Sequence, residues 1–544
     1  MSARRGETSW NGRGLATHWA AIVAAVLCAA AATAAPASAE TGDWPPRPLD
    51  LGPPGLPESR TVESIQPGVT LARITRGAPD RAAVWVVEMN IPGGASSPDP
   101  DAPPRSIQDQ ASADTFAARL TDAGFPSEAQ IVQQPQTADV AAGVLGYRVR
   151  LRATFPTQAA AAAEVTRLSA AGFSGRAWYS GWDGDSTAGG PWTVNVITVD
   201  PRRFQGELRG TYGPTLEDRE KTTELAALES ANVALNGGFF VFDPAAGAEG
   251  DPAGAGVYRG RLESEPVGDR PILILRDRGR HTDIVRPSWP GSVRMPAGTR
   301  VLDGINRVPG LIRNCGGTFD DLPTWRPLHD VTCTDDEELV LFTPAFGPTT
   351  PSGAGAEAIL DRSGRVVAVL GSRGTALGAA ERSLQATGDL ATVVAALRPG
   401  DRIRTRLLLR SGDRPLTRPG TTVINGGPLL MEDGRVHITQ AQDGMQQVSN
   451  PSFDYGWFLQ RNPRTFAGTD PQGRTLLVTV DGRQVGELGL SIPETAAVAR
   501  SLGMVEAINL DGGGSTAMVI RGSLISHPSD AGGERAVGDA IVIR

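Results

Sequence analysis

The sequence predicts an α+β protein in two folded parts: a small one made from a repeated strand–helix–strand unit, and a large one of mixed strands with few helices. Three observations carry this. Between Ala83 and Tyr179 a strand–helix–Gly-Phe–strand pattern occurs twice. From Trp192 onward, short β-branched strands recur between Gly-rich turns. In that long stretch only Lys221–Ser230 and Pro493–Leu502 are clearly helical, too few for an alternating βα sheet.

At 544 residues the chain exceeds one ordinary core, so two or three domains are expected. Apolar content of 40% with 21% charged residues suits a folded chain. A net charge of −8 gives no reason to expect nucleic acid or an anionic membrane as partner. Lys221 is the only lysine, which excludes any catalytic-lysine mechanism that does not use it.

Residues 1–39 read as a signal peptide. Arg4, Arg5 and Arg13 precede an apolar run from Ala20 to Ala35, and Ala37-Ser38-Ala39 has the small-x-small pattern of a cleavage site. The alternative is an uncleaved anchor. Cys28 lacks the small residue that lipidation wants just before it, so no stable membrane insertion is expected after cleavage, and the location is secreted or cell envelope. The remaining cysteines, Cys315 and Cys333, most simply form one disulfide in an oxidising compartment, and the short loop they close contributes roughly 3 kcal/mol. Four scattered histidines and two cysteines do not make a zinc site.

Residues 40–68 form a Pro/Gly-rich linker with a lead-in strand, and a strand at Val69–Ile74 opens the small domain, 69–182. Its first half runs from strand Ala83–Met89 through helix Phe116–Ala123 and Gly124-Phe125 to strand Ala129–Gln133. Its second half runs from strand Tyr147–Arg152 through helix Gln158–Ala171 and Gly172-Phe173 to strand Arg176–Tyr179. Each Gly sits where a helix C-cap requires positive φ, and each Phe follows it into the core. Ser97–Pro104 loops out between the first strand and its helix. Two such halves make a small ferredoxin-like sheet with helices on one face. This unit resembles a SPOR repeat, which implies binding to peptidoglycan glycan strands; the rival reading is a packing domain without glycan affinity.

In the large domain, 190–544, strands are expected at Thr193–Val199, Ile272–Leu275, Leu339–Phe342, Val366–Leu370, Ile403–Leu409, Leu476–Val480 and Ala540–Ile543. Four segments share one design, an apolar strand ending in Asn or Asp and followed at once by glycine. They are Val233–Phe240 (with Asn236, Gly237, Gly238), Val423–Pro428 (Asn425, Gly426, Gly427), Val478–Arg483 (Asp481, Gly482) and Ala507–Thr516 (Asn509, Asp511, Gly512, Gly513, Gly514). Such strands hold a short polar side chain rigidly, while the glycines let a ligand approach bare backbone and turn N–H groups toward an anion.

Asn236-Gly237-Gly238-Phe239-Phe240, Asn425-Gly426-Gly427-Pro428, Arg464-Thr465, Asp481-Gly482-Arg483 and Asn509-Leu510-Asp511-Gly512-Gly513-Gly514-Ser515-Thr516 resemble motifs of the phosphodiester glycosidase family, with Asn306-Arg307 a weaker match. The resemblance runs from Trp192 to Arg544; Pro323–Asp336, which holds the second cysteine, reads as an insertion, and no role is carried onto it. It implies a mixed-sheet catalytic domain that hydrolyses a sugar 1-phosphodiester at the anomeric carbon. Carboxylates flanking the bond suit that chemistry. On this reading Asp511 and Asp481 form the carboxylate pair. Asn236, Asn425 and Asn509 orient sugar hydroxyls or water. Arg464, Thr465, Arg307, Gly237, Gly238, Gly426 and the Gly512–Thr516 backbone, with Ser515 and Thr516, hold the substrate.

No cofactor is required. Asp481, Asp511 and the Asn carboxamides would suit Ca2+ or Mg2+, yet no loop has EF-hand spacing and no metal ligand is assigned. The glycine run lacks the lysine of a P-loop, and Ser515 lacks the Gly of a nucleophile elbow. Glu224 reads as a solvated helix residue, and His437 and His527 as ordinary polar residues. The predicted function is an exported hydrolase acting on envelope or exopolysaccharide sugar phosphodiesters; its rival is a non-catalytic envelope glycan-binding protein using the SPOR-like module and the same loops.

Overall fold

Two runs of residues buried at every position, Arg464–Thr469 and Thr475–Val480, form the middle of the largest sheet; the second reads as an apolar strand for this reason, while the first opens on an arginine and carries no such signal. The structure, a computed structural model, describes residues 47–79, 82–91 and 102–544. The expected signal peptide, the start of the linker and most of the Ser97–Pro104 loop lie outside the described residues.

The sheet has eight strands in the order Glu58–Gln66, Val69–Arg76, Trp192–Val199, Thr475–Val480, Arg464–Thr469, Glu506–Asn509, Leu429–Glu432 and Arg435–Val436. All neighbours pair antiparallel. Alternation along Trp192–Val199 divides two cores. Val194 and Val196 face one with Phe466, Val478 and Ile492, while Ile197 and Val199 face another with Leu235, Ile424 and Ile541. Val233–Asn236 lies in a five-stranded sheet between Met518–Ile520 and Ala540–Ile543, and Thr422–Asn425 lies in another between Gly256–Tyr258 and Ile272–Arg276. Both send their asparagine tips toward the end of the large sheet.

The small domain has the order strand Trp85–Met89, helix Gln110–Asp122, strand Ser127–Gln134, strand Gly143–Leu151, helix Gln158–Ala170, strand Gly175–Tyr179. Its strands lie side by side as 127–134, 143–151, 85–89 and 175–179. Gly124 and Gly172 end the helices at φ 89° and 80°, as their spacing predicts, and Phe125 and Phe173 meet edge to face at 6.2 Å. The molecule is mixed α/β and mostly strand.

Two elements differ from expectation. The strand expected to open the small domain, Val69–Ile74, extends to Arg76 and pairs along its length with Trp192–Val199, so it belongs to the large sheet. The Ile403–Leu409 strand shrinks to Arg404–Arg406, the only residues of it that pair with the neighbouring strand Ser292–Met295. The second clear helix, Ile492–Ser501, starts at a capping box in which Ser491 and Glu494 satisfy each other's backbone N–H.

Candidate active site

The site lies at one end of the large sheet. Thr475–Val480 and Glu506–Asn509 both run antiparallel to Arg464–Thr469 between them, so Asp481 and Asp511 leave their strands at the same end. They lie two strand spacings apart, about 10 Å, on either side of the start of the Arg464 strand. Asn236 ties the second tip to this strand: its Nδ2 donates to the Asp511 carbonyl at 2.7 Å, and its Oδ1 accepts from Thr465 Oγ1 at 2.7 Å. The Gly237 carbonyl accepts the Asp511 N–H at 3.1 Å. Asp511 is thus held by its backbone, with its carboxylate Oδ1 accepting the Gly512 N–H at 2.9 Å.

The glycines are there for close approach. A Cβ on Gly238 would stand 2.6 Å from Asn425 Nδ2, and one on Gly237 2.3 Å from Asp539 Oδ1. A Cβ on Gly426 would meet the Asn509 carbonyl at 2.5 Å. Asn425 brackets Phe239 from both sides, accepting its N–H at 2.9 Å and donating to its carbonyl at 3.1 Å. Asn509 Nδ2 donates to the Gly427 and Leu510 carbonyls. Asp539 receives the Gly238 N–H and the Tyr258 hydroxyl, and burial pushes its carboxyl up to about 6. The three asparagines are therefore buried braces that fix the strand tips, not groups facing the cleft.

A cleft open to solvent lies in front of these tips. Asp511, Gly512, Gly513, Ser515 and Arg464 line it. The amides of Gly512, Gly513, Ser515 and Thr516 are already donated, to the Asp511 carboxylate and the Pro463, Gly512 and Gly513 carbonyls. Cationic character therefore comes from arginines: Arg464, Arg313, Arg483 and Arg535 all line the cleft. Arg464 is oriented by its Nε donating to the Leu490 carbonyl at 2.9 Å and its Nη2 to the Trp457 carbonyl at 2.5 Å. Phe239, Phe240, Phe242 and Trp457 form an aromatic wall.

Reasoning from sequence left several lining residues unassigned. Arg313, Asn314, His329 and Asp330 come from the two-stranded ribbon Ile312–Cys315/Pro327–Cys333, tied by the Cys315–Cys333 disulfide, whose Cα atoms are 5.0 Å apart. The predicted disulfide is present, and the segment set aside as an insertion builds one side of the cleft. His329 is buried between Phe239, with ring centroids 4.3 Å apart, and Trp457, at 4.9 Å. Burial and the nearby Arg270, Arg313 and Arg464 hold its pKa well below the ordinary value, so it is a neutral imidazole. Arg313 pairs with Asp330 at 2.8 Å. A histidine bracketed by a cysteine pair was the available signal; Arg483 was legible in the Asp-Gly-Arg motif.

Of the other predicted residues, Thr465, Gly237, Gly238, Gly426, Gly514 and Thr516 do not line the cleft either, and Arg307 and Asp481 sit away from it. Arg307 lines a second, smaller pocket with Asp251 and Asp303, and it is ion-paired to Glu265 and Glu338. Asp481 is not among the cleft-lining residues. It is 1% exposed, its Oδ1 accepts the His527 N–H at 3.1 Å, and burial and Glu487 push its carboxyl up to about 7. His527 Nδ1 lies 2.8 Å from Glu487 and 3.7 Å from Asp481 Oδ2. Asn236 and Asn425 spend their carboxamide oxygens on partners within the protein, while Asp481 groups with Glu487 and His527, their ligand atoms within 4.8 Å of one another. Glu224 caps the Thr222–Leu228 helix, bonding the Lys221 N–H at 2.9 Å.

Fold and cleft together define a mixed-sheet protein with an arginine-rich, carboxylate-bearing site at converging strand ends. Residues 355–544 match the phosphodiester glycosidase family, and residues 105–176 match the SPOR domain. A Burkholderia pseudomallei protein of known crystal structure, provisionally named as exported, is 31% identical; the alignment covers 92% of this chain and 99% of that one, with a TM-score of 0.81. A mouse protein named N-acetylglucosamine-1-phosphodiester alpha-N-acetylglucosaminidase is 30% identical over 150 residues, 27% of this chain and 29% of that protein. This chain thus spans less than a third of the length of the curated relatives it matches. A Synechocystis structure shares the fold at 18% identity and a TM-score of 0.51, covering 90% of this chain and 76% of that one. The chain thus carries a phosphodiester glycosidase domain, of a family of enzymes, over residues 355–544 and a SPOR domain over residues 105–176.

Proposed function

We propose that this protein is an exported hydrolase that cleaves a sugar 1-phosphodiester at the anomeric carbon, acting on envelope or exopolysaccharide glycans. The observation that carries the reading is one cleft in which four arginines and the Asp511 carboxylate face an aromatic wall. The names of the mouse, bovine and human relatives support N-acetylglucosamine as the sugar. The SPOR domain and the Burkholderia relative support an extracytoplasmic location, and no helix among the described residues is long and apolar enough to cross a membrane. The order and neighbours of the small domain's strands support a ferredoxin-type arrangement.

In this reading the phosphodiester lies against Arg464 and Arg483, and the sugar ring against Trp457 and Phe239. Water attacks the anomeric carbon while the bond to the phosphate oxygen breaks. The electron pair leaves on the phosphomonoester, which the guanidiniums stabilise, and the water proton passes to a carboxylate. A phosphate ester is a good leaving group, so charge stabilisation outweighs strong acid catalysis. Asp511 is the carboxylate at the reacting carbon. Asp481, the second carboxylate of the expected pair, is buried away from the cleft lining and takes no direct part in this reading.

Turnover of an N-acetylglucosamine 1-phosphodiester by wild type and Asp511→Asn tests this. Loss of about 10²–10⁴-fold is expected for the variant, the usual contribution of a positioned acid–base group. Absence of turnover by folded wild type on any sugar 1-phosphodiester would favour a non-catalytic glycan binder.

A further inference from the structure

The small domain's sheet has two faces. One is covered by its own helices, through Phe116, Leu120 and Leu168 against Val87, Val149 and Leu151. The other is polar, and it is also covered. Glu88, Arg150, Arg148 and Trp178 on that face are 0%, 4%, 8% and 8% exposed, too little for any of them to touch a polymer in solution.

What covers them belongs to the glycosidase part, chiefly the helical turn Asp454–Leu459. The Tyr455 hydroxyl sits at the centre. It donates to Glu88 Oε2 at 2.7 Å and accepts from Arg148 Nη1 at 2.8 Å and Arg150 Nη2 at 3.2 Å. Arg150 also pairs with Glu88 at 2.7 Å and Asp183 at 2.6 Å, and Trp178 Nε1 donates to Asp183 at 2.8 Å. Arg176 bridges Glu88 and Gln460. Farther along the sheet Gln134 donates to Gln440 at 2.8 Å. Beside the sheet, the Ser106 and Ile107 N–H groups donate to Ser452 Oγ at 2.9 and 3.0 Å, and Pro103 packs where Gly456 has no side chain. The buried arginines hold the Glu88 carboxyl far below the usual carboxylate range, so Glu88 is ionised in this network. Charges buried this deeply are tolerated only when each is paired and hydrogen-bonded.

The clamped turn is also a wall of the cleft. Gly456 and Trp457 follow Tyr455 directly and line the cleft, and the Trp457 carbonyl accepts from Arg464. We infer that the SPOR domain takes the glycosidase domain as the partner of its polar sheet face, and that through Tyr455, a positioning residue, it holds Gly456, Trp457 and Arg464 in place. The module is then a built-in brace of the cleft, and its sheet is not the surface on which a glycan strand binds. The catalytic consequence rests on the function proposed above; the clamp itself does not.

Tyr455→Phe in the full chain removes only the hydroxyl and keeps the ring packing. Hydrogen exchange of the 454–464 amides should accelerate about tenfold, the size expected when a hydrogen bond to charged groups is lost, while the Val194–Val199 amides keep their protection. On a turned-over substrate KM should rise more than kcat falls, whereas a simple loss of folded protein would lower kcat alone. Glu88→Gln, which keeps the shape of the network, should act in the same direction. Unchanged exchange at 454–464 in both variants would overturn the clamp whether or not any substrate is found. So would wild-type protein that co-sediments with purified peptidoglycan sacculi and loses that binding, with its fold retained, on Arg148→Gln or Trp178→Phe.

Discussion

Gly238 shows how little space separates the strand tips. A methyl group there would stand 2.6 Å from Asn425 Nδ2 and 2.7 Å from the Asn425 carbonyl, and Asn425 is fixed by its two bonds to Phe239. Gly238→Ala should therefore destabilise the fold by about 1–3 kcal/mol, the usual cost of overpacking a closed site. Urea unfolding would read it, and a midpoint equal to wild type would mean that the tips have slack. Asp454 provides a pH test. Burial pushes its carboxyl up to about 7, while its Oδ1 accepts the Gln447 N–H at 2.8 Å. A folded-state pKa raised above the unfolded value favours the protonated form. Its stabilisation is complete below about pH 4 and is lost as pH rises through 7. Asp454→Asn mimics the protonated acid, so it should match wild type near pH 4 and exceed its stability at pH 8. A gap that stays constant across that range would contradict the assignment. At this scale the asparagines and glycines were visible in the sequence as motifs, but not their division of labour. That Asn236, Asn425 and Asn509 brace the backbone while arginines face the cleft depends on which way each buried side chain turns, and the partners that decide this lie up to 281 residues away, as Ala517 does from Asn236.

Among the elements, the disulfide-tied ribbon matters most. Cys315 and Cys333 are 18 residues apart, and the ribbon between them carries His329 and Asp330 to the cleft. Replacing both cysteines by serine should cost about 3 kcal/mol of stability from the loop-closure term. It should also raise KM through looser placement of Arg313, His329 and Asp330. Thermal unfolding with and without reductant, together with substrate titration, would check both effects; a reduced protein of unchanged stability and KM would show the ribbon to be held by packing alone. The strands that line up behind the site were legible, since Leu476–Val480 and Ala540–Ile543 are apolar runs buried on both faces. The ribbon's role was not, because its cleft-lining residues, Arg313-Asn314 and His329-Asp330, come as adjacent pairs without a strand period and match no motif. The same limit explains Val69–Arg76. Its alternating pattern announces a strand, but only the pairing with Trp192–Val199 says which sheet receives it.

For the whole molecule, the small and large parts share one apolar core. Trp85, Phe116 and Leu168 of the small part belong to the same cluster as Val194, Phe466 and Ile492 of the large one. Calorimetry of the chain should accordingly give a single cooperative transition; two separated peaks would show that the parts unfold independently. The sequence by itself determined the mixed α/β, mostly strand fold, the pairing of the cysteines and the presence of a phosphodiester glycosidase domain and a SPOR domain, because periodicity, glycine placement and short motifs are local properties of the chain. Tertiary structure alone decided which carboxylate opens onto the cleft, where the cations come from, and that the small domain's polar face is spent inside the molecule. Those outcomes are set by burial and by hydrogen-bond partners distant in sequence, and a buried charge has no preferred partner until the fold brings one within reach.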